Sequence, residues 1–171
     1  MPREVPYDAP GIIAALQKHG VRFVVIGGVA AIAHGSPLPT EDLDVTPDRA
    51  PDNLEALVGA LNELDARLRT ESGGVAFPVD AQILAGTERW TLTTRAGDLD
   101  LIFAPPATRG YDDLRRGAVE VDLGSGEPVA VASLADVIRS KEASGREKDR
   151  MQLPALRRTL ELVRRRERGS G

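Results

Sequence analysis

The sequence predicts a mixed α/β domain, in which a small twisted mixed sheet is flanked by helices and further helices stand at the C-terminal end. Three observations predict this class. Short β-branched runs, such as the one at 21–26, indicate buried strands. Leucine and valine repeat at three- and four-residue spacing across 51–69, which indicates an amphipathic helix. The two patterns alternate along most of the chain, so a sheet covered by helices is the expected arrangement.

The composition limits the kinds of protein that this chain can be. A length of 171 residues suits one compact domain, and 42% hydrophobic residues can supply its core. We expect a core over 1–132, a C-terminal helical segment of the same domain over 133–168 and a flexible tail over 169–171. The absence of cysteine excludes disulfides and thiolate chemistry, and only two histidines argue against a histidine-rich zinc site.

The N-terminus and the apolar runs favour a cytoplasmic protein without a membrane partner. The first residues, MPREVPYD, lack the apolar core of a signal peptide. The longest uncharged apolar run, 23–33, is too short to span a bilayer.

The first half of the chain reads as alternating helices and strands. Asp8 can cap the first helix, Pro10 fits its first turn and Gly20 ends it. The predicted elements are a helix over 8–20, a strand over 21–26, a turn at 27–28, a short helix over 29–34, a loop over 36–41, a strand over 42–46, a helix over 51–69 and a glycine-containing loop over 70–79.

The second half reads as two hairpins followed by helices. Ser133 can cap the first of the late helices, Gly145 interrupts it, and Pro154 should kink or restart the last one. The predicted elements are strands over 90–94 and 99–103, a helical turn over 111–116, strands over 118–123 and 128–132, a helix from 133 and a final helix over 148–166.

Two carboxylates stand out in the second predicted strand. Asp42 and Asp44 are two residues apart, so they project from the same face while Leu43 and Val45 point into the core. Two such carboxylates repel each other unless a cation lies between them. Mg²⁺ is bound by one or two carboxylates together with phosphate oxygens and water, so this pair is a candidate metal site.

A third carboxylate has the same setting. Asp100 lies in the apolar strand Leu-Asp-Leu-Ile-Phe, with Asp98 on the same face nearer the turn. The alternative is that all these acids only provide solubility at an edge strand or cap a turn. The glycine pair before them and the basic residues later in the chain favour the metal site.

The glycine pair follows a buried strand and precedes a short helix. Gly27 and Gly28 let backbone N–H groups approach an anion such as a triphosphate. A plain tight turn is the alternative. The sequence contains neither GxGxxG nor GxxxxGK[ST], which excludes a dinucleotide-binding turn of the Rossmann type and a P-loop.

These motifs together resemble the DNA polymerase beta-like nucleotidyltransferase superfamily, whose members have a glycine turn, a short helix, an Asp-x-Asp strand and a later third aspartate. Three segments, IGGVAAIAHGSPLPTEDLDV, GDLDLIF and ASLADVIRSKEASGREKDRMQLPAL, resemble the small bacterial nucleotidyltransferases of the AbiEii and MenT toxin type. The resemblance covers 12–162, nearly the whole chain. It implies the nucleotidyltransferase fold.

The resemblance also implies roles for the residues of both motifs. Gly27 and Gly28 would hold the nucleotide phosphates, and Asp42 and Asp44 would bind two Mg²⁺ ions, with Mn²⁺ as a substitute. Asp100 would complete the metal site and help to deprotonate the attacking hydroxyl.

The late polar segment would close the same cleft. Lys141 would contact a phosphate or the base, and Arg146, Lys148 and Asp149 would line the cleft beside it, Lys141 and Asp149 counting among the catalytic residues. From the residues alone, this segment could also be a plain polar corner between two helices.

One position departs from the superfamily pattern. Many members have serine where Gly28 stands, and its hydroxyl would bond a phosphate oxygen. Ser36 or Thr40 could take over this contact, and we include both among the candidate nucleotide-binding residues.

Four further residues have simpler explanations. His34 fits a helix C-terminal cap better than a nucleotide contact. Trp90 fits the core better than a base-stacking platform. Glu120 and Asp122 fit the solvent face of an amphipathic strand, although Asp122 could also neighbour the site.

The positive charge of the C-terminal stretch is relevant to whether the protein binds RNA. Residues 139–168 hold eleven Lys and Arg against five Asp and Glu, whereas the whole chain has a net charge of −4. The late arginines can contact RNA phosphates or solvate a terminal helix: Arg157, Arg158, Arg164, Arg165, Arg166 and Arg168.

The sequence therefore predicts an enzyme that moves a nucleoside monophosphate from an NTP to a hydroxyl. The toxin-like resemblance implies the 3′ end of tRNA as acceptor and a cognate antitoxin as partner. Transfer to a protein side chain or to a small molecule such as an aminoglycoside is the first alternative. A catalytically silent nucleotide- or protein-binding module is the second.

Overall fold

The computed structural model describes residues 6–170. Residues 1–5 and Gly171, which belong to the predicted N-terminal region and tail, lie outside the described residues. The elements, in chain order, are α1 (Ala9–Lys18), β1 (Phe23–Ile26), α2 (Gly27–Ala33), β2 (Asp42–Pro47), α3 (Pro51–Glu63), β3 (Arg67–Thr70), β4 (Gly73–Val75), α4 (Ala81–Ala85), β5 (Arg89–Thr94), β6 (Gly97–Ile102), α5 (Tyr111–Gly117), β7 (Val119–Asp122), β8 (Pro128–Val131), α6 (Leu134–Ser144) and α7 (Glu147–Gly169).

The strands form one mixed sheet, which confirms the predicted fold class. The described strands lie in the order β4-β3-β5-β6-β2-β1-β8-β7. β2 lies inside the sheet, antiparallel to β1 on one side and parallel to β6 on the other. Because both edges of β2 are hydrogen-bonded, the direction of each of its side chains is firmly set.

Alternation along β2 separates core from site, as predicted. Leu43 and Val45 are completely buried in the hydrophobic core, so Asp42 and Asp44 point to the opposite face. The helices pack in two groups, with α1 against α3 and α3 against α4 in one, and α2 against α6 and α6 against α7 in the other.

The third helix is shorter than the leucine spacing predicts. It ends at Glu63 instead of residue 69, and the chain turns at Asp65, which adopts a positive φ of 50°. The amide of Ala66 then bonds the carbonyl of Leu61 at 3.0 Å, which closes the helix end. The chain continues into the hairpin of β3 and β4, where we predicted a continued helix and a loop, and then into the short helix α4, for which we predicted no element.

The last helix is continuous where a kink or restart was predicted. It runs from Glu147 to Gly169 with Pro154 inside it. Leu153 and Leu156 flank the proline and are both buried, so packing on the core holds the two sides of the helix together. The predicted break at Gly145 is present, with a left-handed φ of 67° after α6.

None of the helices within 6–170 has the length and apolar character needed to cross a membrane.

Candidate active site

Strand register brings the three predicted carboxylates together. Asp44 on β2 lies opposite Asp100 on the parallel strand β6, and Asp42 lies opposite Asp98. One carboxylate oxygen from each of Asp42, Asp44 and Asp100 lies within 4.8 Å of the others. We call these three residues the carboxylate centre. Sequence spacing predicted the Asp42–Asp44 pair, and parallel pairing adds Asp100 to it.

Among the three carboxylates of the centre, that of Asp44 has the fewest favourable contacts to offset its burial. Its Oδ1 is buried and has no hydrogen-bond partner among the described residues. Burial, followed by the charges of Asp42 and Asp100, raises the pKa of Asp44 to about 7. A buried oxygen acceptor without a donor is costly, and a cation would remove that cost.

Asp100 is held by two arginines that the sequence analysis did not single out. Its side chain is almost completely buried, and Oδ1 accepts a hydrogen bond of 2.7 Å from Arg69 on β3. Arg89 lies 3.4 Å from Oδ2, and Arg69 also reaches Asp98 at 3.2 Å. The only sequence signal was the alternation Arg-Leu-Arg-Thr at 67–70, which is typical of a strand.

Gly27 makes room for Asp44. It has a positive φ of 65°, and a Cβ at this position would lie 2.3 Å from Asp44 Oδ2. Only glycine therefore lets the start of α2 approach the carboxylate centre this closely. The predicted turn is present, and it lies directly against the carboxylates.

The space around Gly28 is filled by Thr40. A Cβ at position 28 would lie 2.8 Å from Thr40 Oγ1 and 2.9 Å from its Cβ, so the threonine fills the space of a side chain there. Thr40 Oγ1 donates a hydrogen bond of 3.2 Å to the Asp42 carbonyl. Ser36 is buried, and its Oγ accepts a 3.2 Å bond from the Leu38 amide. Of the two hydroxyls, that of Thr40 lies next to the glycine turn.

Lys141 is positioned by Asp149. Its Nζ lies 3.2 Å from Asp149 Oδ1 and 2.8 Å from Gln152 Oε1. Asp149 Oδ2 accepts hydrogen bonds from Ser144 and, at 3.0 Å, from Arg146 Nε. We call these five residues the Asp149 cluster.

The Asp149 cluster satisfies its buried charge. Burial alone would raise the pKa of Asp149, but the hydrogen bonds from Ser144 and Lys141 and the charge of Lys141 outweigh it and hold the pKa below its usual value. Asp149 was predicted among the catalytic residues. Both of its oxygens are occupied by donors, and one of them holds Lys141 in place.

Two adjoining cavities meet at the carboxylate centre. The larger, which we call the polar cleft, has a volume of about 580 Å³. It is lined by Gly28, Ala31, Ser36, Leu38, Pro39, Thr40, Glu41, Asp42, Asp44, Arg69, Arg89, Thr91, Asp98, Asp100, Lys141, Arg146, Lys148, Asp149, Gln152 and Leu156. Apart from Gly27, every predicted site residue lines this cleft, and Gly27 lines the neighbouring cavity.

The other candidate residues lie elsewhere. His34 caps α2 with its backbone N–H, and its Nε2 lies 2.8 Å from the Ala132 carbonyl. Trp90 stacks on Phe77 against the core. Glu120 pairs with Arg115 at the surface, and Asp122 accepts backbone hydrogen bonds in the turn after β7.

No protein-family model matches the chain, and no curated protein matches it. Solved structures do. A protein from Thermotoga maritima, provisionally named a nucleotidyltransferase, matches with a TM-score of 0.53 and 16% identity over 87% of this chain and 94% of its own. The antibiotic-resistance factor ANT(2″)-Ia, solved in complex with adenylyl-2″-tobramycin, matches with a TM-score of 0.54 and 16% identity over 93% of this chain and 94% of its own. A solution structure of ANT(2″)-Ia gives a TM-score of 0.51 and 16% identity over 93% of this chain and 88% of its own. The chain therefore has the nucleotidyltransferase fold.

The carboxylate centre fits a hard divalent cation. Its donors are carboxylate oxygens, the ligands that Mg²⁺ prefers, and the buried Oδ1 of Asp44, which has no hydrogen-bond donor among the described residues, is free to bind a cation. Asp42 and Asp44 would be the principal ligands. Asp100 can also bind the cation through lone pairs that its hydrogen bond from Arg69 does not use.

Proposed function

We propose that this protein is a metal-dependent nucleotidyltransferase that moves a nucleoside monophosphate from an NTP to a hydroxyl acceptor. The carboxylate centre carries the proposal, because three carboxylates within 4.8 Å leave a buried oxygen of Asp44 without a partner. The fold shared with solved nucleotidyltransferases supports it. Two Mg²⁺ or Mn²⁺ ions bound there would neutralise charge on the attacking and leaving oxygens.

The residues around the centre have complementary tasks in this reaction. Lys141, fixed by Asp149, meets the phosphates of the NTP from the α6 side. The backbone at Gly27 and Gly28 and the Thr40 hydroxyl bound the phosphates from the opposite side. These groups hold the α-phosphorus in line between the acceptor oxygen and pyrophosphate, and positioning of this kind is most of catalysis in phosphoryl transfer.

Asp100 is the proton acceptor in the proposed reaction. The acceptor hydroxyl gives its proton to the Asp100 carboxylate as the new O–P bond forms, and the bond to pyrophosphate breaks. Arg69 fixes the direction of this carboxylate through its bonds to Asp100 and to the Leu92 carbonyl, both of 2.7 Å.

The acceptor that we favour is the 3′ end of an RNA, with tRNA as the first choice. Support comes from the exposed arginines on α7 and from the resemblance to toxin-type enzymes. A toxin role with a cognate antitoxin rests on that resemblance. In cells, induced expression should then slow growth, and Asp44→Ala should abolish the effect.

A small molecule is the second candidate acceptor. Its support is the structural likeness to ANT(2″)-Ia, which was solved with adenylyl-2″-tobramycin. Aminoglycosides are polycations, which the acids that line the polar cleft would attract and the arginines beside Asp100 would repel.

The test is transfer of label from each of four α-³²P-labelled NTPs with Mg²⁺, offered total tRNA, the protein itself or tobramycin. We expect label on tRNA. Asp42→Ala and Asp44→Ala should lower the rate at least about a thousandfold, because the bound metal supplies several kcal/mol of transition-state stabilisation. Both variants should remain folded by circular dichroism.

Asp122→Ala is the matched control, since it removes a turn aspartate on an edge strand away from the site. It should transfer label at the wild-type rate. Label on tobramycin instead of tRNA would replace the RNA acceptor with the second candidate. Full activity of both Asp42→Ala and Asp44→Ala would refute the metal-site assignment.

A further inference from the structure

A second cavity adjoins the carboxylate centre, and no step of the proposed reaction involves it. It has a volume of about 290 Å³, and we call it the apolar cavity. Its lining is Ile26, Gly27, Asp44, Arg89, Ile102, Pro105, Pro106, Leu114, Ala132, Asp136, Val137, Ser140, Lys141, Ser144, Arg146 and Asp149. None of the predicted site residues lies in 105–110, which supplies two prolines to this lining.

The apolar cavity and the polar cleft share one wall. Asp44, Lys141 and Arg146 line both. A ligand with phosphates at Lys141 can therefore extend from the cleft into the cavity. Such a ligand carries several negative charges at one end and an apolar group at the other, which is the chemistry of a nucleotide.

Size and lining decide which part of the reaction enters the cavity. About 290 Å³ suits a single small ring system and is about half the volume of the polar cleft. An RNA end needs the larger volume of the polar cleft. Aliphatic walls such as Ile26, Ile102 and Leu114 favour the faces of a flat ring over a charged acceptor.

Asp136 supplies a polar group in the cavity wall. Its Oδ1 lies 3.2 Å from Arg139 Nη2, and its Oδ2 lies beside Gly117, where an added Cβ would be 3.1 Å away. Position in the first turn of α6 explains an acid here, because it favours the helix dipole. It does not explain why the residue lines a cavity that opens on Lys141.

We propose that the apolar cavity binds the nucleobase of the NTP, and that Asp136 selects bases with an exocyclic amino group. The inference rests on the proposed function, since it names the part of the NTP that enters this cavity. A carboxylate only accepts hydrogen bonds, so it pairs with the amino groups of adenine, cytosine or guanine. Uracil has no amino group, and its one ring N–H on this edge lies between two carbonyl oxygens, which a carboxylate repels.

The first experiment measures equilibrium binding, without turnover, of the α,β-methylene analogues of ATP, GTP, CTP and UTP to the full chain with Mg²⁺. The UTP analogue should bind about tenfold or more weakly than the best of the others, the value of a hydrogen bond to a charged group. Asp136→Asn keeps the size of the side chain and can donate to a carbonyl. It should bring the UTP analogue within about threefold of the others.

The second experiment fills the cavity and separates base from phosphates. Ser140→Phe should weaken all four analogues at least about tenfold, while inorganic tripolyphosphate, which needs only the polar cleft, keeps its wild-type affinity. That unchanged affinity also shows that the variant is folded. Ser72→Phe, in the exposed turn between β3 and β4, is the matched control and should change neither ligand.

The outcomes separate this inference from the proposed function. Equal binding of all four analogues, or an unchanged preference in Asp136→Asn, would overturn the selection by Asp136. Undiminished analogue binding by Ser140→Phe would overturn the base site, while labelled transfer by the wild type would leave the proposed function standing. If the wild type binds neither analogues nor tripolyphosphate, both fail.

Discussion

The Asp149 cluster and the carboxylate centre face the same cleft, but they differ in whether their carboxylates have partners. In the Asp149 cluster, Lys141, Arg146 and Ser144 donate to one aspartate, whose pKa is held below its usual value. In the carboxylate centre, Asp44 has an oxygen without a partner, and burial and its acidic neighbours raise its pKa to about 7.

The difference separates a positioning device from a binding site. Asp149 and its partners satisfy one another, so the cluster is complete without a ligand and can hold Lys141 in place. In the carboxylate centre, the buried Oδ1 of Asp44 has no hydrogen-bond partner among the described residues, and the proposed cation would satisfy it. Removing one partner of a paired buried charge destabilises the fold, whereas a buried charge without a partner opposes folding until something binds it.

The largest expected effect is on the pH dependence of stability. In the metal-free protein, Asp44 keeps its proton in the folded state up to about pH 7, but an unfolded aspartate loses it near its ordinary pKa of 3.8. The folded state then binds more protons than the unfolded state, so the free energy of unfolding falls as the pH rises between these values. The fall attributable to Asp44 is up to about 4 kcal/mol.

Urea unfolding of the wild type and Asp44→Asn in EDTA, from pH 4 to pH 8, checks this. The variant should be the more stable protein near pH 8, and the two should converge near pH 4. Saturating Mg²⁺ should remove most of the fall in the wild type. Parallel curves for the two proteins in EDTA would show that the fold compensates Asp44 in another way.

A somewhat smaller effect is expected when the Asp149 cluster is broken. Asp149→Ala leaves Lys141, whose side chain is largely buried, without its anion. Removing one partner of a buried pair costs about 3 kcal/mol of stability. Urea unfolding at pH 7 measures the loss, and a second substitution, Lys141→Met, should restore part of it.

Glu161→Gln provides the control on the same helix. It removes an exposed ion pair with Arg165, which is worth well under 1 kcal/mol. If Asp149→Ala costs no more than this control, Asp149 is not the anchor of Lys141, and the contrast between the two regions does not hold.

The smallest effect concerns Gly28 and Thr40, next to the carboxylate centre. Gly28→Ser should destabilise the fold by about 1–2 kcal/mol, because its Cβ would overlap the threonine side chain. In a background of Thr40→Gly the same serine should fit. A double-mutant cycle on urea stability should therefore give a coupling energy of about 1 kcal/mol. Additive effects would mean that Thr40 does not occupy the space of the usual serine.

The elements that position the centre could be predicted because their signals are local. Alternation set the face of Asp42 and Asp44, and the apolar strand around Asp100 was visible in the sequence. The pairing of β2 with β6 was not visible in this way. It is a contact between distant segments, and the resemblance to a known superfamily supplied that expectation.

The second half of the site was missed for identifiable reasons. The leucine spacing continues past Glu63 to Leu68, so nothing in the periodicity ends α3 where Asp65 turns the chain without a glycine. Arg69 was therefore placed on a helix, from which it could not be matched with Asp100. The apolar cavity could not be predicted from local patterns, because its walls come from segments far apart in the sequence: β1, β6, α5, α6 and a proline loop.

The unpartnered oxygen of Asp44 also affects which substitutions the protein can tolerate. A substitution that neutralises this carboxylate should destroy catalysis and, in the metal-free chain, make the fold more robust. A substitution that abolishes the proposed activity at Asp44 should thus carry no cost in the free energy of unfolding. Neutralising Asp44 would therefore remove the proposed metal site without weakening the metal-free fold, so stability by itself does not keep this carboxylate in place.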